Sequence, residues 1–360
     1  MTTIEAMTAL LEDNSVAEIM VDGPDRVYFE RRGKFEDTDI RFAGAQEVIG
    51  WANGLLASHG WEPVGPGRPW VEGRLADGDH IVVVIPPVAV SGPSVIIRKF
   101  PRVPLTFEQL LQFGSLDQTV LDFFKVVMQA QLALIVSGGT GSGKTTLTRM
   151  MAELVPEDER MVIVGDTGLT RLLRVRHKRL VCLEAAVTIP PALSSAHEPD
   201  ASELLRLASR MRPDRLIYGE LTGPEVLEVL RLANLGHEGL VATMHATSPR
   251  DALSRLETMA TIAEPGLTLP AIRGQIAAGL DLITHQARLE DGSRKVISIA
   301  EVQGLKGDNV VLQELFAWEK TGVGENGRFT GVFKATGAAP SFAPALAAAG
   351  LTFPEGMFEA

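Results

Sequence analysis

The stretch with the clearest chemistry is Gly138-Gly139-Thr140-Gly141-Ser142-Gly143-Lys144-Thr145-Thr146, which fits the phosphate-binding pattern G-x-x-x-x-G-K-[ST]. Glycines let consecutive backbone N–H groups curl round phosphate oxygens without Cβ clashes, and a helix N-terminus behind them favours negative charge. Lys144 is placed to reach the β- and γ-phosphates of ATP, and the Thr145 hydroxyl to ligate Mg²⁺. Such a loop needs an acid on a neighbouring strand. Arg215-Leu216-Ile217-Tyr218-Gly219-Glu220 supplies one, with Glu220 at the C-terminal edge where open α/β sheets hold their ligands. Glu220 is the candidate to orient Mg²⁺-bound water or to act as base.

Two histidines bracket a further apolar run, Leu240 to Met244: His237 before it and His245 after it. No third residue has the spacing of a zinc ligand, and Cys182 is the one cysteine. His245, at the same strand edge as Glu220, is the better candidate to donate to a γ-phosphate. Arg206, Arg210, Arg212 and Arg215 cluster in the sequence, either as a solvated helix face paired with Glu203 and Asp214 or as arginines reaching across a subunit boundary.

These residues must be carried by an alternating α/β pattern. Ala133 to Val136 reads as a buried strand before the loop, and Leu147 to Met151 continues as a helix after it. Met161 to Val164, Leu216 to Tyr218 and Leu240 to Met244 are further buried strands. The intervening helices are predicted from Asp200 or Ser202 to Met211, over Pro224–Ala233, Pro249–Ala260 and Leu269–Leu280. The expected class is α/β: a parallel-sheet P-loop nucleotide-binding domain over residues 108–303 with a smaller N-terminal α+β domain over 1–100. In the latter, Val71–Leu75 and His80–Ile85 form a hairpin round Asp77-Gly78. Residues 101–107 form a Pro-bounded linker. Leu282–Ala287 pairs with Lys295–Ile299 across Asp291-Gly292, and residues 304–360 form a β-containing extension packed on the ATPase domain.

With 360 residues and 45% hydrophobic content the chain can build two cores. Its formal charge of −11 argues against a general nucleic-acid binder. The N-terminus lacks the basic region and long apolar core of a signal peptide, and the apolar run Ile81–Val90 is too short to span a bilayer. A cytoplasmic location is expected.

Taken together the chain resembles the secretion and pilus-assembly traffic ATPases, most closely those of tight-adherence (Tad/Cpa, Flp-type) pili. The resemblance is carried by Gly138–Thr146, Arg210–Glu220, Gly236-His237-Glu238-Gly239 and His245–Glu257. Val21–Tyr28, Ile85-Pro86-Pro87 and Ile97–Phe100 add to it. It implies that residues 108–303 are a RecA-like ATPase domain, in a homo-oligomeric, usually hexameric ring that binds ATP and Mg²⁺ and drives an inner-membrane platform protein, with no direct nucleic-acid contact. By the same resemblance Glu220 is the acid of an atypical Walker B strand, His237 and His245 belong to a histidine box, and Arg98, with Arg74 as second candidate, reaches the nucleotide from the N-terminal domain. The strand after the loop helix normally ends in Glu-Asp. Here the pair is Gly165-Asp166, with Asp166 kept as the catalytic candidate. Leu169, Cys182, Ala186 and Thr222 also depart from the family pattern. The implied activity is ATP hydrolysis at a rate reduced by Gly165. The alternatives are a conjugative-transfer ATPase or an ATP-binding ring subunit with weak hydrolysis.

Overall fold

The structure, a computed structural model, describes residues 2–31, 34–76, 78–99, 105–165, 177–184, 199–236, 239–324 and 327–359. The chain divides into two compact units, one within Met1–Pro104 and one built from Leu105–Glu184 and Asp200–Ala360.

In the first unit helix α1 (Thr3–Glu12) starts at a capping box in which the Thr2 hydroxyl and the Glu5 carboxylate each accept the other residue's backbone N–H. Strands β1 (Val16–Asp22), β2 (Val27–Arg31) and β3 (Lys34–Asp37) precede helix α2 (Ala45–Ser58). β4 (Trp70–Arg74), β5 (His80–Val84) and β6 (Ser94–Arg98) follow it. They form one sheet in the order β3-β2-β1-β6-β5-β4. Period-two alternation sends Ile81, Val83, Val95 and Ile97 into a core with Met7, Ile19, Val48 and Leu56, while the opposite residues face outward. Gly73 is a glycine because the Trp61 indole occupies the space of its Cβ. Arg74, His80 and Arg98 stand side by side in register, on one face of the sheet. Arg98 is largely exposed, 3.3 Å from Glu18 Oε1.

The second unit begins with helices α3 (Phe107–Gln112) and α4 (Gln118–Gln129), followed by strand β7 (Leu134–Gly138) and helix α5 (Lys144–Ala152). Then come β8 (Met161–Val164), β9 (Leu180–Leu183), α6 (Ala201–Arg210), β10 (Arg215–Leu221), α7 (Val226–Asn234) and β11 (Leu240–His245). Helices α8 (Pro249–Ala263) and α9 (Leu269–Gly279) lead into β12 (Leu282–Arg288), β13 (Arg294–Lys306), β14 (Asn309–Val323) and β15 (Phe329–Ala335). The last helix is α10 (Ala343–Ala348). Among the described residues these strands make a nine-stranded sheet, β15-β14-β13-β12-β7-β11-β10-β8-β9. From β12 to β9 neighbours are parallel, and from β12 to β15 they are antiparallel. β7, β8 and β11 are apolar almost throughout because helices cover both faces of a parallel sheet. Each fully buried Val, Leu or Ile contributes about 1.5–3 kcal/mol.

The C-terminal strands are part of this sheet. β13 runs through residue 303 without a break, so β14 and β15 extend the same hydrogen-bonded ladder. Beyond them Phe353 stacks on Phe123 at 5.5 Å, and Phe358 meets Phe123, Phe316 and Phe353. The Ala- and Pro-rich tail thus contributes aromatic rings to the core of α4.

Candidate functional site

The site lies where β7, β10 and β11 end. β7 sits between β11 and β12, and Gly138 pairs with His245 on one side and Gln286 on the other. Gly138 has to be glycine: a Cβ there would overlap the Gln286 carbonyl oxygen. Gly141 and Gly143 have φ of +69° and +100°, a left-handed region that side chains disfavour. These turns bring the chain to the start of α5, where Gly143 offers no side-chain cap. The first N–H groups of the helix are therefore left for a ligand.

Lys144 is nearly buried, and burial lowers its pKa against the opposing pull of Glu220. Its Nζ donates to Gly138 O and Gly139 O, each at 3.2 Å, and lies 3.5 Å from Glu220 Oε1 and 3.4 Å from His245 Nδ1. His245 Nε2 is 3.0 Å from the same Glu220 oxygen. One neutral tautomer satisfies both contacts: Nε2–H donates to Glu220 while Nδ1 accepts from Lys144. A cation, a carboxylate and an imidazole from three separate segments thus meet at the mouth of the loop.

Glu220 reaches this point through a bulge. Tyr218 pairs with Ala242, but Leu221 pairs with Met244, so β10 carries one residue more than β11 between these pairs. The Thr243 hydroxyl donates to the Gly219 carbonyl inside that bulge. Beyond it, Glu225 accepts from Thr222 N at 2.6 Å and Gly223 N at 2.9 Å, closing the turn after the strand. The loop after His245 is fixed by Asp251, which accepts from Thr247 N at 2.8 Å. That bond, with the Arg255 bond, holds the Asp251 carboxyl below the usual carboxylate range. Beneath the site, Ser137 Oγ lies 3.0 Å from His285 Nδ1, and burial pushes the His285 pKa down.

The fit to a nucleotide can be judged from the loop. Ser142 Oγ is buried and has no hydrogen-bond partner among the described residues, so the loop contains an unused donor. Together with the uncapped α5 N-terminus, the left-handed glycines and the Lys144 ammonium, it suits a polyphosphate. Mg²⁺ retains several waters and takes few protein ligands beside substrate phosphates. The Thr145 hydroxyl and the Glu220 carboxylate match that demand.

The structure joins Lys144, Glu220 and His245, as their sequence positions predict. Asp166 and His237 lie outside the described residues. Arg98 belongs to the N-terminal unit. The arginine cluster disperses: Arg215 is buried in an ion pair with Glu159, whereas Arg206, Arg210 and Arg212 are exposed. Sequence reasoning missed Thr243, Glu225 and Asp251, although Ser248 to Asp251 has the spacing of a helix cap. It also missed Gln286, Arg288 and Arg294, whose place beside the loop depends on β12 lying next to β7.

Residues 2–325 match the family described as type II/IV secretion system protein. The chain belongs to that family. A Mycobacterium tuberculosis protein named as a candidate for conjugal transfer is 33% identical over 304 residues, covering 83% of this chain and 84% of its own. Conjugal transfer protein TrbB of Rhizobium radiobacter is 28% identical over 310 residues, covering 85% of this chain and 89% of its own. Among solved structures, the pilus retraction motor PilT with bound ADP gives a TM-score of 0.57 at 17% identity, covering 85% of this chain and 84% of that one. That likeness shows the fold: a RecA-like unit carrying the phosphate loop, preceded by an N-terminal α+β unit. Among the described residues of this secretion-family chain no helix is long and apolar enough to cross a membrane.

Proposed function

We propose that this chain is an ATP-hydrolysing subunit of a homo-oligomeric ring, hexameric in its working form, which powers a type II/IV secretion or pilus-assembly machine from the cytoplasmic face of the membrane. The observation that carries this reading is the convergence of Lys144, Glu220 and His245 on the phosphate loop. When ATP enters, the Lys144 ammonium exchanges the Gly138 and Gly139 carbonyls for β- and γ-phosphate oxygens. Glu220, freed from Lys144, orients the attacking water and accepts its proton. His245, whose Nε2–H already donates to a carboxylate oxygen, is placed to donate to the γ-phosphate. Bound Mg²⁺, held by Thr145 and through water by Glu220, would neutralise charge on the phosphates.

Asp166 and His237 remain candidates for the same chemistry, and Arg98 for contact with the nucleotide. With Gly165 in place of the usual carboxylate, turnover is expected to be slow. The machine we favour is a tight-adherence pilus acting through an inner-membrane platform protein, on the resemblance of the motifs. Conjugal transfer is the second reading, favoured by the names of the relatives at 33% and 28% identity. The test is ATP binding and steady-state hydrolysis by the purified oligomer. Lys144→Ala should lose binding, while Glu220→Gln should keep binding and lose at least about a hundredfold in kcat, in the range for removing general-base catalysis. Glu220→Gln turning over at the parent rate would refute the assignment.

A further inference from the structure

We infer that Arg294 is a positioning residue for ATP: from the β12–β13 hairpin it fixes the Gly141–Ser142 peptide of the phosphate loop and so sets nucleotide affinity. The inference rests on the reading of that loop as an ATP site. Arg294 Nε donates to the Gly141 carbonyl at 2.8 Å, across 153 residues of sequence. A trans peptide is planar, with its C=O and N–H pointing in opposite directions. Holding the Gly141 carbonyl towards the hairpin therefore turns the Ser142 N–H inward, where it meets Gly139 O at 3.3 Å. A phosphate oxygen that enters the loop takes the place of the Gly139 carbonyl as acceptor of this N–H.

The loop requires such an anchor because Gly138, Gly139, Gly141 and Gly143 leave its backbone little intrinsic preference. Free peptides of this composition would spend much of their time with N–H groups misdirected, and ordering them would weaken binding. The rest of the hairpin wall points the same way. Gln286, buried on β12, presses its backbone against Gly138, and its side-chain amide lies where a Cβ on Gly143 would come within 3.0 Å. Its Oε1 has no partner among the described residues. Arg288 stands directly opposite Arg294 in the β12–β13 register, with Nη1 3.8 Å from where a Gly141 Cβ would be. Beside a loop that takes a polyanion, both cations attract the ligand. The sheet thus supplies a second wall to the cradle, facing the Glu220–His245 side across β7.

The full chain is tested with Arg294→Ala and Arg294→Lys. Fluorescent N-methylanthraniloyl-ATP reports Kd, steady-state hydrolysis reports KM and kcat, and calorimetry without nucleotide reports Tm. Loss of one charge-assisted hydrogen bond predicts Kd and KM raised about tenfold in Arg294→Ala, with kcat lowered less than threefold. Arg294→Lys, keeping the charge with a less directed donor, should recover part of the affinity. Tm without nucleotide should stay within a degree or so of the parent, because Arg294 is exposed. Arg294→Ala binding the probe as tightly as the parent would overturn the inference. So would a variant whose apo Tm falls while KM is unchanged, which is the mark of a purely structural contact. A parent chain that binds no ATP, like Lys144→Ala, would overturn the ATP reading itself and this inference with it.

Discussion

Gly165 closes β8 beside the candidate site, and its replacement by alanine gives a prediction whose size follows from the backbone. Its φ is +98°, and its N–H donates to Leu183 O at 2.9 Å, so relaxing to negative φ would cost a bond between β8 and β9. Space is not the difficulty: a Cβ would stand 3.4 Å from Gly219 N and 3.6 Å from Gly219 Cα, ordinary contact distances. The penalty is conformational. A left-handed L-residue costs about 1–2 kcal/mol. The stiffer unfolded chain of alanine offsets about 0.4–1 kcal/mol of that. Gly165→Ala should therefore destabilise the ATPase unit by about 1 kcal/mol, which for a unit of this size lowers Tm by about 2–4 °C. Scanning calorimetry of parent and variant without nucleotide at neutral pH measures it. A variant that melts at or above the parent temperature would refute the reasoning, because the glycine would then not be required by its φ. Gly165→Glu carries the same backbone penalty, so its kcat belongs at 25 °C, well below the melt. There a rise over the parent is expected if the missing carboxylate limits hydrolysis, and an unchanged kcat removes that explanation.

Two further outcomes follow from the geometry. Gly138→Ala forces a Cβ into the Gln286 carbonyl, a backbone atom with no room to yield. Overpacking of that kind costs about 1–3 kcal/mol, so Tm should fall and ATP binding be lost, and a variant with parental Tm and Kd contradicts the close packing of β7 on β12. In the N-terminal unit the Ser15 hydroxyl and N–H, helped by Arg31, hold the Asp13 carboxyl down at about 2, against an ordinary 3.8. Because the folded state binds that proton less tightly, the contribution of Asp13 is complete above pH 4 and drains as pH falls towards 2. The Tm gap between parent and Asp13→Asn should accordingly close over that interval, and a gap that stays constant would show that the carboxylate is not held by its charge.

Much of this arrangement was legible in the residues. Buried parallel strands leave continuous apolar runs, so β7, β8, β10 and β11 could be read, and with them the convergence of Lys144, Glu220 and His245 at one sheet edge. The β12–β13 pairing was equally plain, since Asp291-Gly292 marks a turn. Other features left little trace. Helix α1 escaped notice because its start rests on a Thr2–Glu5 capping box rather than a strong apolar stripe. β9 is short and half-buried, without the solid apolar signal of the inner strands. The bulge at Gly219 depends on a hydroxyl from the adjacent strand, Thr243, which no local pattern announces. Arg294 was hidden for a related reason: a hairpin shows its own pairing in sequence but not the strand it will lie against.

The neighbours of β7 also set a timetable. Ser137 meets His285 from a distance of 148 residues along the chain. During synthesis at about 5–20 residues per second, the phosphate loop therefore leaves the ribosome many seconds before the strands that flank it exist. Until β11 and β12 arrive, Gly138 lacks the partners that hold the end of its strand, and Gly141 lacks the Arg294 anchor. A nascent chain that already contains the complete nine-residue motif is thus still without a nucleotide cradle. Competence to bind a nucleotide comes only when most of the polypeptide has been made, so a partly synthesised chain carries the motif but not the site.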